Sequence, residues 1–187
     1  MRHAPMPDPA TLAGQLDLDC LDPAPAAIDR LKARLPAGAR WIASPLLRAR
    51  RTAEALGAAG LTTDSRLMEQ HFGDWQGRSF AALEAAGDPH LGPFWSDPAH
   101  AAPPGGESFA ELCARVAAAV AALSEGGDIV AVAHAGTIRA ALADALELPP
   151  ARALGFEVAP LSLTRLDRFA TEEGPVWRVG CVNTESP

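Results

Sequence analysis

The sequence predicts an α/β fold: a mostly parallel sheet with helices packed on it, in one domain spanning residues 1–187. Three observations carry that prediction. "DIVAVA" (128–133) is an unbroken apolar run, expected of a strand covered on both faces in a parallel sheet. "WIASPLLRA" and "VAVAHAGTIRA" share one design, a buried strand, a sharp turn and then a helix. Finally, apolar residues at helical spacing alternate with these strands, with no internal repeat and no linker between them.

Taken in order, "AAIDRLKARL" (26–35) places Ile28, Leu31 and Leu35 on one helical face. "ARWIAS" (39–44) reads as a short buried strand. "PLLRARRTAEAL" (45–56) follows as a helix, with Pro45 at its first position, an apolar stripe of Leu46, Ala49, Ala53 and Leu56, and Gly57 or Gly60 ending it. From Gly73 to Gly106 the chain reads as irregular apart from a short helix at "SFAALEAAG" (79–87). The Pro- and Gly-rich stretch 88–107 reads as a long loop of the kind that forms lids or binding segments. Ser108 and Glu111 form a capping box that starts a helix running to about Leu123. After the 128–133 strand, His134 ends the run, Gly136 makes a turn, and "TIRAALADAL" is helical up to Pro149-Pro150. "LSLTRLDRF" and "WRVGCVN" are two late strands joined by a hairpin loop at "TEEGP".

Composition narrows the function. At 187 residues and 48% hydrophobic, the chain has the length and apolar content of a folded domain. A net charge of −7, with "RARR" (48–51) the only basic cluster, argues against a nucleic-acid or acidic-membrane partner. Cys20, Cys113 and Cys181 are odd in number and widely spaced, with no CxxC, which disfavours zinc and a disulfide framework and fits a reducing cytoplasm. The longest apolar stretch, around "CARVAAAVAAL", is broken by Arg115 and too short to span a membrane.

The two strand–turn–helix elbows mark the place to look for chemistry. In open α/β sheets ligands bind at the carboxyl ends of strands, where free N–H groups at helix starts favour an anion. Arg48 lies one helical turn beyond Ser44 and His134 ends the other strand, so both belong to that edge. Taken alone, an Arg early in a helix reads as a solvated side chain, and a His at a strand end as a hydrogen-bonded structural group. Arg2-His3 alone reads as a loose end. Their co-occurrence is the signal: Arg supplies a planar fork of donors suited to phosphate.

In order, "RHAP" (2–5), "SPLLRARRTA" (44–53), "LMEQHFGDWQGRS" (67–79), "PPGGES" (103–108) and "AHAGTIRA" (133–140) resemble the histidine phosphatase superfamily, in its phosphoglycerate-mutase-like branch. The resemblance runs from Arg2 to about Leu146, and the two late strands also match that family's ending. It implies a three-layer α/β/α fold. It implies a metal-independent, cofactor-free phosphatase acting on a small phosphorylated metabolite through a phosphohistidine. His3 corresponds to the nucleophile, Glu69 to the proton donor, with Gly73 and Gly77 following it, and Arg2, Arg48 and His134 to the groups that hold the phosphoryl oxygens. The chemistry suits these residue types. A phosphate monoester dianion repels an anionic nucleophile but not a neutral imidazole, and cationic side chains offset the charge spread over the transition state.

Other residues read as bystanders. His71 belongs to the rim; His90, His100, Arg50 and Arg51 face water; Arg139 is a helix-surface or supporting residue. "GQLDLDCLDPA" (14–24) is similar to a segment of α-ribazole-phosphatase-like members, with Asp19-Cys20 where that pattern has proline. The alternatives to a hydrolase are a mutase-type phosphotransferase and a phospho-ligand binding module without turnover. The sequence leaves the oligomeric state open. For His3 to reach the phosphate edge, a strand ending at position 3 must run between or beside the other two. An upstream apolar segment of about five residues, the usual strand length, is therefore expected.

Overall fold

A computed structural model describes residues 1–123 and 126–184. Its centre is a parallel sheet. β1 (Arg40–Ala43) pairs on one side with the two-residue β2 (Thr62–Thr63) and on the other with β3 (Ile129–Val132), so that Ala43 lies opposite Val132. Residues 1–3 continue the sheet beyond β3. The Ala133 N–H donates to the Met1 carbonyl at 2.9 Å, the His3 N–H donates to the Ala133 carbonyl at 3.0 Å, and Arg2 forms a parallel bridge with Ala133. On the far side Arg2 N–H donates to Ser162 O and Leu161 N–H to His3 O. His3 thus reaches the edge beside β3, not between β1 and β3, which pair directly.

Helices flank this sheet. In chain order they are α1 (Pro25–Lys32), α2 (Leu47–Ala55), α3 (Phe80–Ala85), α4 (Leu91–Ser96), α5 (Phe109–Ala122), α6 (Ala135–Ala145) and α7 (Pro150–Ala153). The two-residue period of the strands divides the core. Ala43, Val130 and Val132 pack with Ile28 and Leu31 of α1 and with Ala49 and Ala53 of α2, alongside Met1. Ile42, Ile129 and Ala131 turn the other way, toward Leu67 and toward Ala119 of α5. That second face is half-open at Ile129 and Ala131, so "DIVAVA" is less completely covered than its composition predicts. α5 then packs on α6 and α7 through Phe109, Leu112, Val116, Ala140 and Ala153. The order of layers is helix, sheet, helix, as expected.

The local signals mostly hold, with four corrections. α2 ends at Gly57, whose φ of +82° lets its N–H reach Glu54 O while Ala58 N–H reaches Ala53 O. It starts at Leu47 rather than Pro45, because Pro45 belongs to the turn after β1. The Ser108–Glu111 capping box is present at the start of α5. The 88–107 stretch is not all loop. α4 forms there because Leu91 and Phe94 bury against Trp75 and Leu83, and Pro93 sits in the first turn, where its missing N–H costs nothing. Trp75 and Phe94 meet edge to face at 5.1 Å. Gly136 is not a turn residue but lies inside the first turn of α6. Finally, β4 (Leu163–Thr171) and β5 (Gly174–Thr184) are longer than expected and leave only Glu172-Glu173 to join them, since Thr171 already pairs with Gly174. Leu166, Val179 and Val182 of this hairpin pack against Ile138 and Leu142 of α6. Among the described residues no helix is long and apolar enough to cross a membrane.

Candidate active site

The carboxyl ends of β1 and β3 and the residues after Arg2 converge on one edge. Ser44, directly after β1, is buried and ties that end to β3 through its N–H on Val132 O at 3.0 Å. Arg48 follows in the first turn of α2. It is 1% exposed, not solvated as an isolated helix arginine would be. Its Nη1 donates to Leu16 O at 2.8 Å and its Nη2 to Gly14 O at 2.6 Å, while its Nε has no partner. Gly14 has a φ of +48°, a conformation that favours glycine, and its carbonyl lies over the guanidinium. Thr52 couples α2 to the N-terminal segment: its hydroxyl donates to Arg48 O and accepts from Ala4 N–H at 2.9 Å.

His3 is 4% exposed, and its Nδ1 lies 2.6 Å from the Ala4 carbonyl. A carbonyl can only accept, so Nδ1 carries the hydrogen, and in the neutral ring the lone pair is on Nε2. The His134 ring stands 5.1 Å away, centroid to centroid, and is fully buried as the residue that opens α6. Burial, then the positive charge of Arg48, pushes the His3 pKa down to about 3, against a smaller upward pull from the Ala4 hydrogen bond. His134 is driven well below the usual histidine range by burial, Arg48, His3, Arg2 and Arg115. Both rings are therefore neutral at physiological pH.

Glu69 arrives from an irregular segment. Its Oε1 accepts from Gln70 N–H at 3.0 Å and its Oε2 from Gly136 N–H at 3.2 Å. This explains Gly136: a Cβ there would stand 2.2 Å from Glu69 Oε1. Its charge opposes burial in holding the Arg2 and Arg48 guanidinium groups charged. Arg2 donates from Nη1 to Val158 O at 2.6 Å, and its Nε is left over. All five predicted residues thus come together at one edge.

What remains unpaired is informative. Among the described residues, the buried side-chain polar atoms with no partner are Arg2 Nε, Arg48 Nε, both ring nitrogens of His134, and Ser162 Oγ. Four of these five belong to the predicted phosphate groups. Buried donors are normally satisfied, so a set of orphans at one edge points to a ligand, and two guanidinium groups specify an anion.

The bystanders sort as expected, with Arg50 the exception. His90 and His100 are exposed and pair with Asp88 and Asp97, and Arg51 pairs at the surface with Asp19 and Asp22. His71 is half-buried, its Nδ1 accepting from Gly73 N–H. Arg139 is a support, donating to Phe156 O at 2.7 Å. Arg50 is half-buried and bonded to Pro45 O rather than free in water. Thr52, Gln15, Thr137 and the true use of Gly136 escaped the sequence. Gln15 Nε2 donates to Glu69 O, and Thr137 Oγ1 donates to the Leu67 and Met68 carbonyls. None carries a charge or pattern that separates it from its neighbours.

Two arginines and two histidines at the carboxyl edge of a parallel α/β sheet make a candidate anion site, and comparison with known sequences gives the class of the protein. The sequence model of the histidine phosphatase superfamily (branch 1) matches residues 9–179, and the chain belongs to that family. The match begins after His3, so it is independent of the Arg2-His3 pair. The chain is 38% identical over 155 residues to the glucosyl-3-phosphoglycerate phosphatase of Mycolicibacterium vanbaalenii, covering 74% of this chain and 68% of that protein. It is 39% identical over 158 residues to the corresponding protein of Mycobacterium tuberculosis, covering 75% and 70%. The solved structure of a mycobacterial glucosyl-3-phosphoglycerate phosphatase superposes with a TM-score of 0.82 at 32% identity, over 98% of this chain and 96% of that one. A putative α-ribazole-5′-phosphate phosphatase from Escherichia coli shares the fold, with a TM-score of 0.84 at 23% identity over 98% and 94%.

Proposed function

We propose that the chain hydrolyses the phosphate ester of a small polar metabolite in two displacements at His3. The lone pair on His3 Nε2 attacks phosphorus as the ester P–O bond breaks, giving a phosphohistidine. Glu69 serves as the proton donor: the Glu69 carboxyl, having taken up a proton with the bound substrate, gives it to the departing alkoxide. In the second step Glu69 takes a proton from water, the water oxygen attacks phosphorus, and the P–N electron pair returns to Nε2 as inorganic phosphate forms. Arg2, Arg48 and His134 hold the equatorial oxygens, their orphaned donors taking the hydrogen bonds that the protein leaves unmade.

The observation that carries this reading is the fixed tautomer of His3 beside those donors. The Ala4 carbonyl forces hydrogen onto Nδ1, which aims the basic nitrogen at the ligand, and burial among arginines keeps that nitrogen unprotonated. A hydrolase rather than a mutase is supported by the relatives, which are phosphatases by name. Their identity over three quarters of the chain makes glucosyl-3-phosphoglycerate the first substrate to assay.

The test is a trapping experiment. With a phosphate-labelled monoester quenched in base, the parent should retain an acid-labile, base-stable label and His3→Ala none. Equal labelling of both forms would remove His3 from the mechanism. No label and no turnover in the parent would favour a binding module.

A further inference from the structure

We infer that the ion pair of Arg115 and Glu107 is a positioning device for Glu69, setting how well this protein expels poor leaving groups. The inference rests on the proton-donor role proposed above for Glu69.

Residues 68–72 lie in neither helix nor strand, so the carbonyls around Glu69 need partners from elsewhere. One guanidinium on α5 supplies them. Arg115 Nη1 donates to Arg66 O at 2.8 Å and Met68 O at 2.9 Å, and Nη2 donates to Glu69 O at 3.1 Å. The remaining donors go to Glu107, from Nη2 to Oε1 at 2.5 Å and from Nε to Oε2 at 3.2 Å. All five N–H groups of Arg115 are thus used, three of them on the backbone leading to and including Glu69.

Glu107 grips the other side of the same segment. Its Oε1 also accepts from His71 N–H at 2.9 Å, its carbonyl accepts from Gln70 Nε2 at 2.9 Å, and its own N–H donates to His71 O at 2.9 Å. Glu69 therefore sits between two clamps joined to each other by a two-point ion pair, each partner only about one-fifth exposed. An exposed ion pair contributes little to stability, but a bidentate pair that also takes up four backbone groups fixes geometry. The reacting edge gains a proton donor whose backbone cannot drift.

Neither residue touches the phosphate groups, so the expected signature is selective. Glu107→Gln keeps the shape but weakens the bidentate pair. It should slow hydrolysis of an alkyl phosphate by about tenfold, while p-nitrophenyl phosphate, whose leaving group needs little protonation, changes less than about twofold. In a Glu69→Gln background, Glu107→Gln should add no further loss, because it acts through the group already removed. Arg115→Lys, which keeps the charge but has three donors for five acceptors, should reproduce the selectivity and serves if Glu107→Gln fails to fold.

Equal loss on both substrates, or a loss that adds to that of Glu69→Gln, would overturn the positioning role and leave the proton-donor reading of Glu69 intact. If Glu69→Gln itself slows both substrates equally, the proton-donor reading falls and this inference with it.

Discussion

Gly136→Ala separates the stability of this protein from its chemistry. The residue lies in the first turn of α6 with an ordinary helical φ, so alanine is allowed there, and an alanine in a helix is worth up to about 1 kcal/mol over glycine. The added methyl, however, would stand 2.2 Å from Glu69 Oε1, with Leu112 Cδ2 at 3.1 Å. The atom that must give way is the tip of a flexible side chain, which moves at little cost. Restoring an ordinary contact of roughly 3.4 Å or more displaces the carboxylate by over about 1 Å, and the Gly136 N–H bond that aims Oε2 goes with it. Misplacing a reacting group by that much costs on the order of 10²-fold. The expected result is a melting temperature unchanged or raised by ~2–4 °C, with turnover of alkyl phosphates down about 10²-fold and nitrophenyl phosphate affected far less. Wild-type turnover of an alkyl phosphate by a folded Gly136→Ala variant would show that the Glu69 carboxylate has no role where the structure puts it.

Two more outcomes follow from the same geometry. Arg48→Lys keeps the charge but cannot reach Gly14 O, Leu16 O and a phosphate together; kcat/KM should fall by at least about tenfold, ~1.4 kcal/mol of transition-state binding, and wild-type kinetics would mean that Arg48 serves the loop alone. The buried histidines also predict a pH dependence. Because folding lowers their pKa, the unfolded chain binds more protons once pH drops below about 6.5. Stability should then fall as pH falls from there, with a slope approaching ~1.4 kcal/mol per pH unit from His3 down to about 3 and a further loss of the same sign from His134. Urea denaturation across the acidic side of neutrality, compared with His3→Asn, checks this; identical slopes would show that His3 does not carry the proton difference.

β1 and β3 were legible because they rest on period and composition, whereas the two-residue β2 carries no such signal. "DIVAVA" and "ARWIAS" have no other reading that buries them, and the Ser108–Glu111 box marks a helix start by a local exchange of hydrogen bonds. The grouping of Arg2, His3, Arg48 and His134 at one edge was legible for a different reason: each reads as ordinary alone, and only their co-occurrence in ordered motifs, with Glu69 added by the family resemblance, points to one place. What failed were judgements that depend on distant neighbours. α4 exists because an aromatic cluster from Trp75 and Phe80 accepts Leu91 and Phe94, and nothing within "LGPFWS" announces that. Gly136 reads as a turn because glycine so often is one, whereas its reason is a carboxylate 67 residues away in the chain.

The arrangement also explains why two histidines and two arginines can share one buried edge. Four positive charges there would be prohibitive, and the protein does not attempt it: both rings are neutral, and the guanidinium groups are partly satisfied by carbonyls of Val158, Gly14 and Leu16. Those carbonyls hold each arginine in place without neutralising it, so net positive charge and an unmade hydrogen bond at each Nε remain. Leaving a buried donor unsatisfied costs about 1–3 kcal/mol, so a ligand that takes these hydrogen bonds gains on that scale. On the proposed reading a phosphoryl group would take those hydrogen bonds and add its charge to that of the Glu69 carboxylate, which already faces both arginines. The Thr52 link between α2 and Ala4 and the Gly136 contact with Glu69 hold these side chains at the edge. Preorganisation at this edge is therefore a property of the whole α/β scaffold and is bound to the same residues that destabilise it.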